Sequence, residues 1–160
     1  MIAEGRAAPA FSCEADDGSN ISLAILRGRI VVLYFYPADD TETCTLEAQQ
    51  FSARAREFAA AGAQVIGVSP DSIVSHCKFR DKYGLAVRLI SDPDLAMCKA
   101  YGVWRLKTLF GRTYMGIERT TVLIGGRGKV ARIWRKVRLK GHVDAVLAAA
   151  KALNQGDDLT

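Results

Sequence analysis

Pro37, Thr41 and Cys44 stand in the stretch PADDTETC, between an apolar run and a strongly helical segment. This arrangement sets a single thiol at a helix start, where unpaired backbone N–H groups and the helix dipole favour the thiolate, the nucleophilic form of cysteine. Thr41 stands three residues before Cys44, at the position where a dithiol redox motif has its second cysteine. The neighbour is a hydroxyl, and rapid thiol–disulfide exchange within the motif is not available. Asp39, Asp40 and Glu42 oppose an anion here, so a cation from elsewhere in the chain is expected. On position alone Cys44 is equally well a small buried residue, because free cysteine is commonly buried.

The elements that must position this thiol follow from periodicity. The run IVVLYFY, Ile30 to Tyr36, is β-branched and aromatic without alternation, as in a strand buried on both faces. From Thr43 to Ala60 the spacing predicts a helix on which Leu46, Phe51, Ala55 and Phe58 share a face, ended by Gly62. Gln64–Val68 reads as the next strand, followed by a helix capped by Asp71 or Ser72, running to Tyr83 and stopped by Gly84. A short run at Arg88–Ile90 leads to a small helix from Leu95 to Tyr101. Thr120–Ile124 and Lys129–Lys136 form a hairpin about Gly125–Gly128, and a last helix runs from His142 to Asn154. The expected architecture is α/β, with the first two strands parallel through a right-handed crossover. The order of elements resembles the thioredoxin-like fold, a central mixed sheet flanked by helices.

Composition narrows the class. The chain has 160 residues, 49% apolar and 24% charged, which fits one globular domain over 1–160. No stretch is long or apolar enough for a signal peptide or a membrane span, so a cytoplasmic protein without a membrane partner is expected. Four irregularly spaced cysteines and two histidines argue against structural disulfides and a structural zinc site. The net charge of +5 and the stretch KVARIWRKVRLK raise the possibility of nucleic acid. Val130, Ile133, Val137 and Leu139 interleave with the basic residues as in a strand with one wet face, so no nucleic-acid partner is expected. The glycines of GGRG precede a strand and not a helix, which is wrong for a phosphate loop.

Beyond these patterns, Pro37, Thr41 and Cys44 directly after LYFY resemble the active-site motif of peroxiredoxins. The segments VVLYFYPADDTETCTLEAQQF, GAQVIGVSPDSIVSHCKFRDKYGL, SDPDLAMCKAYGVW, GIERTTVLI and WRKVRLKGHVDAVLAAAKAL resemble, in unbroken order, the Q-type branch, the bacterioferritin comigratory proteins. The resemblance implies a thiol-dependent peroxidase with no cofactor and no metal. Cys44 then reduces hydrogen peroxide or an organic hydroperoxide and becomes a sulfenic acid. Thr41 and the backbone N–H of Thr43 or Cys44 bind peroxide oxygens, Pro37 shields the sulfur, and Arg119 supplies the cation. Glu47 is either a partner of that arginine or a solvent-facing helix residue. His76 and His142 have no spacing that argues for catalysis.

The chain departs from the branch at two places. Glu42-Thr43 replaces the usual Pro-Gly before the cysteine, and Gln49 stands where many members carry a second cysteine. Cys13, Cys77 and Cys98 remain as resolving thiols, along with an external one. Some members resolve from the helix that here carries Cys77, which makes Cys77 the favoured partner through local unwinding. Thioredoxin or a glutaredoxin-like dithiol is the expected reductant and a monomer the expected state, since no exposed apolar stripe is evident. The alternatives are a peroxide sensor and a thiol–disulfide oxidoreductase of thioredoxin fold; Thr41 in place of a cysteine opposes the latter.

Overall fold

The computed structural model describes residues 2–156; Met1 and residues 157–160, included in the single-domain expectation, lie outside the described residues. In chain order the elements are β1 (Ser12–Ala15), β2 (Asn20–Ser22), β3 (Ile30–Phe35), α1 (Glu42–Ala53), α2 (Ala55–Ala60), β4 (Ala63–Ser69) and α3 (Ile73–Tyr83). They continue with β5 (Arg88–Ser91), α4 (Ala96–Ala100), β6 (Trp104–Leu109), β7 (Arg112–Ile117), β8 (Thr120–Ile124), β9 (Val130–Trp134) and α5 (His142–Gln155).

Seven strands form one mixed sheet in the order β2-β1-β5-β4-β3-β8-β9. β3 lies near its centre, parallel to β4 and antiparallel to β8. Its unbroken apolar sequence follows from burial on both sides. Val31, Leu33 and Phe35 point into one core, and Ile30, Val32, Tyr34 and Tyr36 into the other, where Cys44, Phe51, Phe58, Phe79 and Val146 meet them. Side chains so covered need no polar alternation.

Register decides what gathers at the end of β3. Phe35 pairs with Val68 of β4 and with Thr120 of β8. The loop leaving β3 therefore emerges beside the loop entering β8 and the loop leaving β4. Arg119 directly precedes Thr120, so the β3–β8 pairing brings it to the turn that carries Cys44. The same parallel edge brings in the start of α3, where Ser72 caps the helix by accepting from the Ser75 N–H. Crevices at the carboxyl ends of parallel strands are where α/β proteins assemble sites.

The structure departs from the expected elements in four places. The helix predicted over Thr43–Ala60 is two helices, interrupted at Arg54, whose N–H turns back to the Phe51 carbonyl. Leu46 does not share the inward face: it is 46% exposed, while Glu47 is fully buried. An apolar-face count cannot foresee this, because the buried carboxyl is tolerated only through a partner from another element. The β1–β2 hairpin extends the sheet through antiparallel pairing of β1 with β5. The β6–β7 hairpin forms a separate two-stranded sheet. On this second hairpin Leu106, Leu109, Phe110, Tyr114 and Met115 are exposed, Phe110 by 95%. The expectation of no exposed apolar stripe fails there, because alternation in these short strands is weak and their outer face stays exposed among the described residues. Among the described residues, no helix is long and apolar enough to cross a membrane.

Candidate active site

Cys44 occupies the first turn of α1, behind Thr41 as the N-cap. The first helical hydrogen bond here runs from the Thr45 N–H to the Thr41 carbonyl, so the amides of Thr43 and Cys44 precede the helix ladder. A threonine at this position ordinarily caps one of those amides, which is worth about 1 kcal/mol. Thr41 makes no such side-chain cap; its hydroxyl donates instead to the Ala38 carbonyl at 2.9 Å. The amides near the sulfur are thus left for another acceptor. The Thr41 oxygen retains lone pairs, but its own proton is already engaged, so donation to a ligand requires that bond to be given up. Pro37 is half-buried at the exit from β3.

The cation missing from the local sequence is Arg119. Its Nη2 donates to Cys44 Sγ at 3.3 Å, and its Nη1 to Glu47 Oε1 at 2.6 Å. Cys44 and Glu47 lie three apart on one face of α1, so a single guanidinium spans both. Cys44 is 2% exposed, which leaves its thiol nearly free of water, where such contacts are strong. Burial pushes the Glu47 carboxyl up to about 7, against the pull of Arg119. For Arg119, burial also works against the charge, but Glu47 and Cys44 more than compensate and its pKa is raised. The guanidinium is therefore the fixed charge of the pair, and the carboxyl is the member that titrates. The second Glu47 oxygen is buried with no hydrogen-bond partner among the described residues.

Asp39 and Asp40, expected to repel an anion, are both paired. Asp39 receives Tyr36 O–H at 2.6 Å and Ser75 O–H at 2.7 Å and lies 2.7 Å from His76 Nδ1, while its N–H donates to Asp71. Asp40, at φ 56°, accepts from Lys82 Nζ and Tyr83 O–H. The bonds to Ser75, His76, Lys82 and Tyr83 tie the loop to α3, and sequence reasoning missed them because those partners lie more than thirty positions away. His142 is also buried, its Nε2 2.9 Å from Thr121 Oγ1; burial and then Arg119 hold it down to about 4, so it is neutral.

The remaining thiols are not at this site. All four cysteines are free. Cys77 is half-buried on α3, and its Sγ donates to the Asp16 carbonyl at 3.3 Å, beside a bond from Arg80 to the same oxygen. Asp16 follows β1, three strands from β3 in the sheet order, roughly 14 Å at ordinary strand spacing. Cys13 contacts Met97 Sδ, and burial, with Asp92 and Asp94, pushes its thiol up to about 11. Cys98 is fully buried, and burial and Asp92 push its thiol up strongly.

Residues 5–133 match the family described as AhpC/TSA. The chain is 42% identical over 151 residues to Peroxiredoxin Bcp of Bacillus subtilis, covering 94% of this chain and 96% of that protein. The chain belongs to the peroxiredoxins. The solved structures it resembles give the branch: a peroxiredoxin Q of Xanthomonas campestris superposes with a TM-score of 0.86 at 44% identity, covering 90% of this chain and 91% of the other. A second comparison, with the bacterioferritin comigratory protein of the same organism, was solved as trapped intermediate and ligand complexes bearing on its alkyl peroxide reduction. It gives a TM-score of 0.86 at 43% identity over 90% of this chain and 92% of that one. The expected mixed sheet flanked by helices is thus the thioredoxin fold of the Q-type peroxiredoxins. As a peroxiredoxin, the chain is a thiol-dependent peroxidase whose substrate is a peroxide and whose electrons come from a thiol reductant.

Proposed function

We propose that Cys44 is the thiol that attacks the peroxide. The observation that carries this reading is the Arg119 guanidinium, with one arm on the Cys44 sulfur and the other on Glu47. The thiolate attacks the terminal oxygen of a hydroperoxide; the O–O bond breaks, sulfur becomes a sulfenic acid, and the leaving oxygen takes a proton and departs as water or an alcohol. Negative charge moves from sulfur to the departing oxygen, so donors already in position around both stabilise the transition state. Arg119 and the amides of Thr43 and Cys44 are those donors, and the Thr41 oxygen accepts a hydrogen bond from the peroxide O–H. Pro37 keeps water from the sulfur. Hydrogen peroxide and organic hydroperoxides are both substrates in this reading, the latter supported by the alkyl peroxide activity named for the Xanthomonas protein.

Sustained peroxide consumption in dithiothreitol, many equivalents per chain, is the expected result. Consumption that stops at one equivalent per chain would make the protein a sensor.

The sulfenic acid then condenses with Cys77, releasing water and forming a Cys44–Cys77 disulfide that thioredoxin or a glutaredoxin-like dithiol reduces. Cys77 is favoured over Cys13 and Cys98 because burial and carboxylates disfavour the thiolate at both of those. The Cys77 sulfur is engaged at the Asp16 carbonyl and the Cys44 sulfur at Arg119, and a disulfide needs Cα atoms within about 7 Å, so in this reading the start of α1, α3 or both unwinds to bring the thiols together. After one equivalent of peroxide, digestion without reductant is expected to yield a crosslinked Cys44–Cys77 peptide. Cys77→Ser should remove both that peptide and thioredoxin-driven turnover while turnover in dithiothreitol continues. A crosslink to Cys13 or Cys98, or a lasting sulfenic acid, removes Cys77 from the cycle. Cys44, Arg119 and Glu47 all come from one chain, so a monomer with a single domain suffices for the chemistry. A cytoplasmic site, where thiols stay reduced, suits four free cysteines.

A further inference from the structure

Asp39 and His76 reach the interior from different elements, the loop after β3 and helix α3. The His76 ring is fully buried, and each of its nitrogens faces an acceptor: Nδ1 lies 2.7 Å from Asp39 Oδ2, and Nε2 lies 2.9 Å from the Ile90 carbonyl oxygen of β5. A carbonyl has no proton to give, so Nε2 carries the hydrogen of that bond. Asp39 already accepts from Tyr36 and Ser75, and although burial opposes its charge, His76, Tyr36 and Ser75 hold its carboxyl below the ordinary range. An ionised Asp39 leaves Nδ1 as the donor. The hydrogen-bond network therefore assigns the ring two protons, the imidazolium form. With both nitrogens protonated, the cluster of Asp39, Asp71 and His76 has no imidazole lone pair for a metal ion, even though its ligand atoms lie within 4.8 Å of one another.

We infer that His76, resting on the reading of Cys44 as the reacting thiol, is a positioning residue whose buried imidazolium clamps Asp39, and with it the Pro37–Thr41 turn, onto α3, so that peroxide attack depends on the ring's proton. The clamp has backing on every side. The Asp39 N–H donates to Asp71 Oδ2 at 2.7 Å, and the same oxygen receives Ser69 O–H at 2.8 Å. The groups facing the ring are Asp39 and Tyr36 from β3 and its loop, Asp71 and Ser75 from the start of α3, and the Ile90 carbonyl from β5. None of them carries a positive charge.

The direction of the pH dependence follows. Burial disfavours the charged ring, but the hydrogen bond and charge of Asp39, then the Ile90 carbonyl and Asp71, outweigh it and raise its pKa above 6.5. The clamp is complete below that ordinary value and is lost as pH rises through the raised one. Its release also loosens the helix that carries Cys77, so the alkaline form is poorer at attack and freer to close a disulfide.

Nuclear magnetic resonance of isotope-labelled histidine in the reduced wild-type protein, from about pH 6 to about pH 10, reads the ring directly. His142, held near 4, remains neutral throughout and serves as the reference. Two protonated His76 nitrogens at neutral pH, losing one at alkaline pH, are expected. In parallel, the second-order rate with hydrogen peroxide is compared between wild type and Asp39→Asn. The wild-type advantage should be on the order of tenfold at neutral pH and should vanish through the ring's titration. A His76 ring with one proton at neutral pH, or a rate ratio that ignores the titration, overturns the inference. If the variant does not fold, the ring's state in the wild type decides alone. Failure of the Cys44 reading appears elsewhere, as peroxide consumption that survives Cys44→Ser.

Discussion

Cys44→Ser should abolish peroxide turnover, down to the background of protein-free buffer with dithiothreitol. A hydroxyl at this position is a far weaker nucleophile than a thiolate, and Arg119 cannot make up the difference because it stabilises an anion that serine does not form near neutral pH. The substitution leaves the donor geometry in place, since the serine oxygen can accept the Arg119 N–H that now reaches sulfur at 3.3 Å. The cost of a satisfied hydroxyl in a site only 2% exposed is about 1 kcal/mol, too little to unfold a domain of this size. Steady-state peroxide consumption and a thermal melt on the same sample separate the two effects. Retention of a substantial share of wild-type turnover in a folded variant would move the reaction to another thiol.

Arg119→Met is the second large effect, and it is expected to act on rate and on stability by different routes. Losing a donor aimed at the reacting sulfur commonly costs on the order of 10²-fold in rate. Removing one member of a buried ion pair typically costs about 3–5 kcal/mol, because the partner charge is stranded. Here the loss should fall at or below the lower end, since burial already pushes Glu47 up to about 7 and the carboxyl escapes by taking a proton. The sign is fixed by that shift: a carboxyl raised above its ordinary 4.5 favours the folded state below that value and loses the benefit as pH rises toward 7. Arg119→Met should therefore be less destabilised at pH 5 than at pH 8. Adding Glu47→Gln should restore the melting temperature at pH 8 without restoring the rate. If the double variant recovers both, or if the single variant keeps its rate, Arg119 is a structural residue only.

Local segments were read well where their partners were local. The β3 strand announced itself by an apolar run, Gly84 by ending α3 in a left-handed residue, and the Asp71–Ser72 pair by offering a cap to the same helix, a role the structure gives to Ser72. The hairpins β1–β2 and β6–β7 were missed, as they are short, weakly alternating strands whose pairing depends on what surrounds them. The hydrophobic pattern puts Leu46 on the inward face of α1 and does not place Glu47, whereas the structure exposes the first and buries the second. A hydrophobic pattern assigns inside and outside by side-chain type, whereas Glu47 is inside because Arg119, 72 positions later, meets it there.

What the sequence determined by itself is the turn that presents the Cys44 thiol. A buried strand ending just before Pro37, a hydroxyl at Thr41 and a thiol at Cys44 follow one another closely, so chain order alone puts the Cys44 thiol in the first turn of a helix. What only tertiary structure decided is the company that turn keeps. Antiparallel pairing of Phe35 with Thr120 carries Arg119 to the sulfur, and parallel pairing of Phe35 with Val68 carries the start of α3, with His76, to the same edge, while Cys77 turns to the Asp16 carbonyl. The reason is physical: a helix start can favour an anion from its own dipole, but a buried charge needs a counter-charge, and in this chain the counter-charges sit on strands and helices that become neighbours only when the sheet closes.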